Sequence, residues 1–254
     1  MLTKIEELLE QSDRTEDGAE RIKLLSHAKK LLEDEKTDER EDFTYSVSFR
    51  LACAYFMQGK YQEARFECEA SLIYAKLIGD AEDIDSLNVL YYRILIELED
   101  WKKILALTMN DETHGLAWGY SRLIAAWMMT DGKNRALCAS MFWDALILSP
   151  DVPFYMLGYY EEPEDEDEHS DFEFALMYMD AVGISEELQR WFTRGVILFG
   201  LLTNRFDGLE REYMLDVLDS LGGYEEYEKM SGMLIEGDDQ AVIEALAANK
   251  CLSN

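Results

Sequence analysis

The chain has 254 residues, 48% of them hydrophobic, which is enough to bury a sizeable core in one large domain or in a stack of small helical units. Its 53 acidic residues outnumber 24 basic ones and give a formal net charge of −29. That balance argues against nucleic-acid binding, which needs a basic surface, and disfavours anionic membranes. Two interpretations stay open: the charge serves solubility alone, or it attracts a basic protein or peptide.

Turn-forming residues are scarce, with three prolines and fifteen glycines in the whole chain. A β-sandwich or barrel needs frequent Pro/Gly turns, and a doubly wound fold needs Val/Ile strands punctuated by glycine. Neither pattern is present, so the sequence predicts a mostly helical protein.

The first elements are predicted to be amphipathic helices. Apolar residues fall on one face of a short N-terminal helix, at Leu2, Ile5, Leu8 and Leu9. After a turn rich in Asp and Thr, a second stripe follows at Ala19, Ile22, Leu25, Ala28, Leu31 and Leu32. The charged stretch 33–42 is the first candidate loop between repeated units.

The segment 49–75 has the clearest pattern in the chain, a helix, a glycine turn and a second helix. The first helix carries Phe49, Leu51, Ala52 and Tyr55. The second carries Tyr61, Ala64, Cys68 and Ser71. Gly59 stands between them, at the position where a helix C-terminus favours glycine. Because small residues on both helices allow a close approach, the pattern predicts an αα-hairpin.

The same arrangement returns twice along the chain. In a second copy Trp101 follows a Glu-Asp turn and takes the position of Tyr61, while Ile104 replaces the small residue. A third copy, 115–150, has the turn Asp131-Gly132 and apolar residues at Trp118, Leu123, Ala126, Trp127, Cys138, Phe142 and Ala145. Recurrence of a hairpin every ~32 to 40 residues is typical of a helical solenoid.

This spacing resembles the tetratricopeptide repeat. The resemblance is carried by Leu51, Ala52, Tyr55, Tyr61 and Ala64, and again by Cys138, Phe142, Ala145 and Pro150. It implies an all-α, irregular helical-repeat solenoid in which the first helix of each pair lines a concave groove. Several consensus small positions carry larger residues here, so the expected stack is short and irregular.

A narrower resemblance covers residues 143–195. The run DALILSPDVPFYMLG, followed by an acidic linker and two helices, is similar to a module of the suppressor-of-tumorigenicity-seven family and of related bacterial repeat proteins. The resemblance implies an intracellular scaffold and brings no catalytic residues with it.

An acidic run separates the repeats from the rest of the chain. Seven of the eight residues in 161–168 are acidic, and such a run opposes a buried helix because like charges repel at i,i+4. The expected organisation is therefore helical repeats over 1–160, an acidic loop at 161–170 and a C-terminal helical region over 171–254.

The sequence contains no constellation typical of catalysis or of metal binding. The histidines His27, His114 and His169 are isolated, and no HExxH, GxSxG or phosphate-binding loop occurs. The four cysteines form no CxxC pair, and three of them lie in apolar helical stretches, where a free thiol behaves as a small core residue; the chain is expected in a reducing compartment. Because the sequence has no apolar signal core and no apolar run of membrane length, we expect a cytoplasmic protein. Because catalytic and metal-binding motifs are missing, we expect it to be non-enzymatic and to use no cofactor.

The function expected from these features is a scaffold or adaptor, monomeric or a small oligomer, whose acidic groove binds a basic protein or peptide. The residues predicted to line the groove lie on the first helices of two repeats: Phe49, Cys53, Phe56, Met57, Val89, Arg93, Ile96 and Glu97. Two alternatives stay open. One is an inhibitor or immunity-type protein that blocks a basic toxin or nuclease, and the other is a small-molecule-regulated sensor or enzyme.

Overall fold

The computed structural model describes residues 2–33, 36, 39–79, 82–108, 116–164, 169–183, 185–232 and 238–253. These residues form fourteen α-helices and no strand, which confirms the predicted all-α class. The chain divides into two compact units, Met1–Asp100 and Trp101–Asn254.

The first unit has five helices in its described residues: α1 (Leu2–Arg14), α2 (Gly18–Glu33), α3 (Arg40–Met57), α4 (Tyr61–Ile78) and α5 (Glu82–Glu97). Each helix packs against the next one along the chain, and α3 also contacts α5. A cluster of apolar side chains from α1, α2 and α3 is buried together: Ile5, Leu8, Leu9, Leu25, Ala28, Leu32, Val47, Leu51 and Ala54. The two stripes predicted near the N-terminus therefore supply much of this core.

Helices α3 and α4 form the hairpin predicted for the segment 49–75. Ala52 on α3 and Ala64 and Cys68 on α4 are fully buried, and their small side chains leave room for the two helices to approach closely. Gly59 closes α3 with a φ of 67°, a left-handed conformation that glycine adopts without a steric penalty. The amide of Lys60 then donates to the carbonyl of Tyr55 at 2.9 Å.

The turn after α5 repeats this geometry without a glycine. Glu99 has a φ of 53°, and the amide of Asp100 donates to the carbonyl of Leu95 at 2.9 Å. The Glu-Asp turn of the second predicted copy is thus built like the Gly59 turn of the first. A non-glycine residue in this region costs about 1 kcal/mol, so packing on either side of Glu99 holds the turn in place.

Ion pairs connect helices of the first unit that are distant in sequence. The ammonium of Lys29 on α2 lies 2.6 Å from a carboxylate oxygen of the buried Glu67 on α4. Arg65 on α4 pairs with Asp100 at 2.9 Å, just beyond the end of α5. Because a buried carboxylate without its cation is costly, the Lys29 pair helps to hold α2 and α4 in the same unit.

The second unit has nine helices in its described residues: α6 (Trp101–Thr108), α7 (Leu116–Thr130), α8 (Arg135–Leu148), α9 (Val152–Met156), α10 (His169–Gly183), α11 (Glu186–Leu202), α12 (Gly208–Ser220), α13 (Tyr224–Ser231) and α14 (Asp239–Ala248). Helices α7 and α8 form the hairpin of the third predicted copy, and the amide of Gly132 closes its turn on the carbonyl of Trp127 at 3.0 Å. Gly115 of that copy and the side chain of Trp118 lie outside the described residues.

Helix α11 is the centre of the second unit. Its residues 195–201 are all buried, and the helix packs against α10, α12, α13 and α14. Aromatic rings of α8 and α11 meet edge to face, with the centroids of Phe142 and Phe192 5.3 Å apart. Helix α14 packs against α8, six helices earlier in the chain. This unit therefore departs from a solenoid, in which each repeat contacts only its neighbours.

The predicted acidic boundary lies within this second unit. Residues 161–164 belong to no helix, residues 165–168 lie outside the described residues, and α10 begins at His169. The division into repeats over 1–160 and a separate C-terminal region over 171–254 stays a prediction.

Candidate functional site

The residues predicted to line a groove lie on α3 and α5, two helices of the first unit that contact each other. Four of them are half-buried: Phe49, Cys53, Phe56 and Val89. Met57, Arg93 and Glu97 are exposed, and the side chain of Met57 is 76% accessible. Ile96 is only 8% accessible and belongs to the core, so it can contribute little contact area to a partner.

Aromatic side chains run along one side of α3. The rings of Tyr45 and Phe49 are stacked one turn apart with centroids separated by 6.2 Å. The ring of Phe56 lies 5.6 Å from that of Tyr61, the first residue of α4. These rings leave part of their surface accessible, and half-exposed aromatics of this kind are common in protein-binding surfaces.

Arg93 joins the two helices of this face. Its guanidinium lies over the ring of Phe56 with a separation of 5.0 Å, a cation–π contact between α5 and α3. Four residues further along α5, Glu97 accepts a hydrogen bond from the hydroxyl of Tyr61, which raises the pKa of that tyrosine. These contacts connect Phe56 with Arg93 and Tyr61 with Glu97; whether the face binds a partner stays a prediction.

A second exposed apolar face, which the sequence prediction missed, lies on α4. Phe66, Ile73 and Leu77 are largely exposed and follow one another at spacings of seven and four residues, which places them on one side of the helix. The opposite side, with Ala64, is packed inside the unit. The sequence shows these three residues as an apolar i,i+7,i+11 pattern. The small and apolar residues on the other side of α4 already predict a helix, so the exposed pattern was not interpreted separately.

A third exposed face lies on α12 in the second unit and is strongly acidic. Leu209 and Tyr213 are 84% and 64% accessible and stand one turn apart. Three carboxylates share the same side of the helix, Glu212, Asp216 and Asp219. They line a shallow cavity of about 420 Å³ together with Leu215 and Tyr224.

The pKa values of the four thiols are typical of buried core cysteines and not of reactive ones. Burial is the largest cause that raises the pKa of Cys53, Cys68 and Cys138, and it raises the pKa of Cys251 to about 11. A thiol with a raised pKa is protonated near neutral pH and is a poor nucleophile. Among the described side chains, no group of three His, Cys, Asp or Glu residues could hold a metal ion.

Comparisons with protein-family profiles, with curated proteins and with solved structures find no match to this chain. Across the described residues, none of the helices combines the length and the apolar character that crossing a membrane requires.

Proposed function

We propose that this protein is a non-enzymatic binding module that holds a basic protein or peptide. The observation that carries the proposal is the face of α3 and α5, where the exposed Met57 lies next to Phe56 in the chain and Arg93 stacks on the Phe56 ring. Apolar and aromatic surface of this kind gains free energy when a partner covers it.

Charge is the reason for proposing a basic partner. The first unit carries 24 acidic and 13 basic residues, and the second carries 29 and 11, so both units repel acidic proteins. Glu97 contributes a carboxylate at the edge of the α3–α5 face. The acidic face of α12 offers a basic partner a second surface, on which Leu209 and Tyr213 supply the apolar contact.

A binding measurement tests the location of the site. Wild-type protein would capture partners from a native lysate, and each captured protein would then be purified and titrated against variants. The double substitution Met57→Gln and Glu97→Lys is expected to weaken binding about tenfold, because it removes apolar contact and reverses one charge. Both side chains are exposed, so the expected loss of stability is small and comes from the hydrogen bond between Tyr61 and Glu97.

The control for the Met57 change is Leu77→Gln, which removes an apolar side chain of α4 that is also largely exposed, and the affinity of this variant should stay within about twofold of the wild type. If that control weakens binding as much as the double substitution does, the α3–α5 face is not the site. Capture of neutral or acidic proteins only, with no loss of affinity in added salt, would contradict the basic partner.

A narrower form of the same proposal is an inhibitor or immunity-type protein that blocks a basic toxin or nuclease. It predicts nanomolar affinity for one such protein and a steep loss of that affinity with added salt. A general adaptor would instead bind several basic partners with weaker affinity.

A further inference from the structure

An open cavity of about 390 Å³ in the second unit is lined by three arginines, on a chain that is otherwise strongly acidic. It is lined by residues from α8, α11 and the end of α12: Arg135, Glu186, Glu187, Arg190, Trp191, Arg194 and Leu221. Three of the eleven basic residues in Trp101–Asn254 therefore lie in one cavity, although the unit has 29 acidic residues. The volume falls within the range of small-molecule sites.

The three guanidinium groups differ in what they contact. Arg135 pairs with Glu187 and stacks on Trp127, with 4.0 Å between the guanidinium and the ring. Arg194 pairs with Glu226 at 2.6 Å. Arg190 is exposed and has no ion pair with any residue that the structure describes.

Two of the arginines that line this cavity each have one buried donor atom that is not satisfied by any described residue. The Nη1 atom of Arg135 and the Nε atom of Arg194 are buried and have no hydrogen-bond partner among the described residues. Buried donors are normally satisfied, so each such atom calls for a specific explanation. An arginine whose other nitrogen atoms already hold a carboxylate can still orient towards a second anion, because its five donors lie in one plane.

Two helix N-termini add partial positive charge beside the arginines of the cavity. Helix α8 begins at Arg135 and helix α11 begins at Glu186, and both of these first residues are part of the lining. The backbone dipoles of a helix place partial positive charge at its N-terminus, which favours a bound anion. Glu186 and Glu187 use part of this potential already, as acidic residues in a first helical turn do.

We propose that this cavity binds a small polyanion, a molecule with two or more phosphate or carboxylate groups. Arg190 supplies a guanidinium that forms no ion pair with a described carboxylate, and Arg135 and Arg194 add two more guanidinium groups to the lining. Glu187 competes with the ligand because it holds Arg135. The proposal is independent of the protein-binding function, since no residue of the α3–α5 face lines the cavity.

Tryptophan fluorescence gives a direct test, because Trp191 lies in the lining and all five tryptophans belong to Trp101–Asn254. Pyrophosphate and citrate would be titrated into the full-length protein at constant ionic strength. We expect a saturable change with a dissociation constant below about 1 mM for at least one of them. Arg190→Gln should weaken that binding at least about tenfold, as loss of a charge-assisted contact does.

Glu187→Gln is expected to change the affinity in the opposite direction. A gain in affinity cannot result from a loss of structure, so this variant distinguishes the two. It frees Arg135 and removes a negative charge, so it should tighten polyanion binding about threefold or more. Lys102→Gln is the control, since it removes one exposed positive charge outside the lining and should leave affinity unchanged. Stronger binding of pyrophosphate would assign a phosphate ligand, and stronger binding of citrate a carboxylate ligand.

Two outcomes would overturn the proposal. One is the absence of saturable binding of either probe up to about 10 mM, well above the expected dissociation constant. The other is equal binding by the wild type and by Arg190→Gln, which would show that the anions act through general screening of an acidic protein.

Discussion

Replacement of Arg205 by methionine is expected to lower the free energy of unfolding of the second unit by about 3 kcal/mol. Arg205 follows α11, and its side chain is 15% accessible. It pairs with Asp151 before α9 and with Asp239 in α14, the latter at 2.6 Å. One arginine therefore connects three segments that are far apart in sequence.

The loss is expected to be large because Arg205 also packs against aromatic rings. Its guanidinium lies 5.0 Å from the ring of Phe154 and 5.3 Å from that of Phe199, and it donates to the hydroxyl of Tyr160 at 3.0 Å. Methionine fills part of the volume but leaves two carboxylates without their cation. Their partial exposure lets water compensate for some of the lost interaction, which keeps the expected loss below the upper end for buried pairs.

Urea unfolding followed by tryptophan fluorescence measures this change, because every tryptophan of the chain lies in Trp101–Asn254. Arg205→Lys should recover less than half of the lost stability, since an ammonium group cannot hold two carboxylates and stack on a ring at the same time. Lys133→Gln removes an exposed ion pair with Asp131 and should leave the stability unchanged within the error of the experiment. A loss at Arg205 no larger than that of the control would refute the structural role.

The hairpins were predictable from sequence because local spacing determines them. Ala52 and Ala64 stand at helical positions on either side of Gly59, and no distant residue is needed to recognise the pattern. The equivalence of the Glu99 turn was also visible, since a Glu-Asp pair stands where the first copy has Gly-Lys. Short-range periodicity and turn chemistry thus carried the prediction of these elements.

The surfaces were harder to predict because they depend on which helices become neighbours. The arginine cavity brings Arg135 together with Arg190 and Leu221, which are separated by 55 and 31 residues in the sequence. Ile96 was predicted to line the groove by its place on a first helix, but the packing of the unit buries it. Periodicity identifies the apolar side of a helix and does not show how far a neighbouring helix covers it.

The arrangement of α11 leads to a further expected result, for Gly200→Ala. In an exposed helix this substitution stabilises by up to about 1 kcal/mol, because alanine has the higher helix propensity. At Gly200 an added Cβ would lie 2.5 Å from a ring carbon of Phe206 and 2.9 Å from one of Phe154. Both rings are buried, so neither can move aside freely, and we expect a net loss of about 2 kcal/mol.

Gly183→Ala is the matched control, because a Cβ at that exposed position of α10 meets no atom within 4 Å. In the same urea experiment Gly183→Ala should be neutral or stabilising by up to about 1 kcal/mol. The same glycine-to-alanine change is thus expected to be destabilising at Gly200 and not at Gly183. Phe206→Leu shortens the side chain that the new methyl group meets. The double variant with Gly200→Ala should therefore be more stable than the sum of the two single changes predicts. Strict additivity would show that the loss arises from the backbone and not from overpacking, since a backbone effect would not depend on the size of the Phe206 ring.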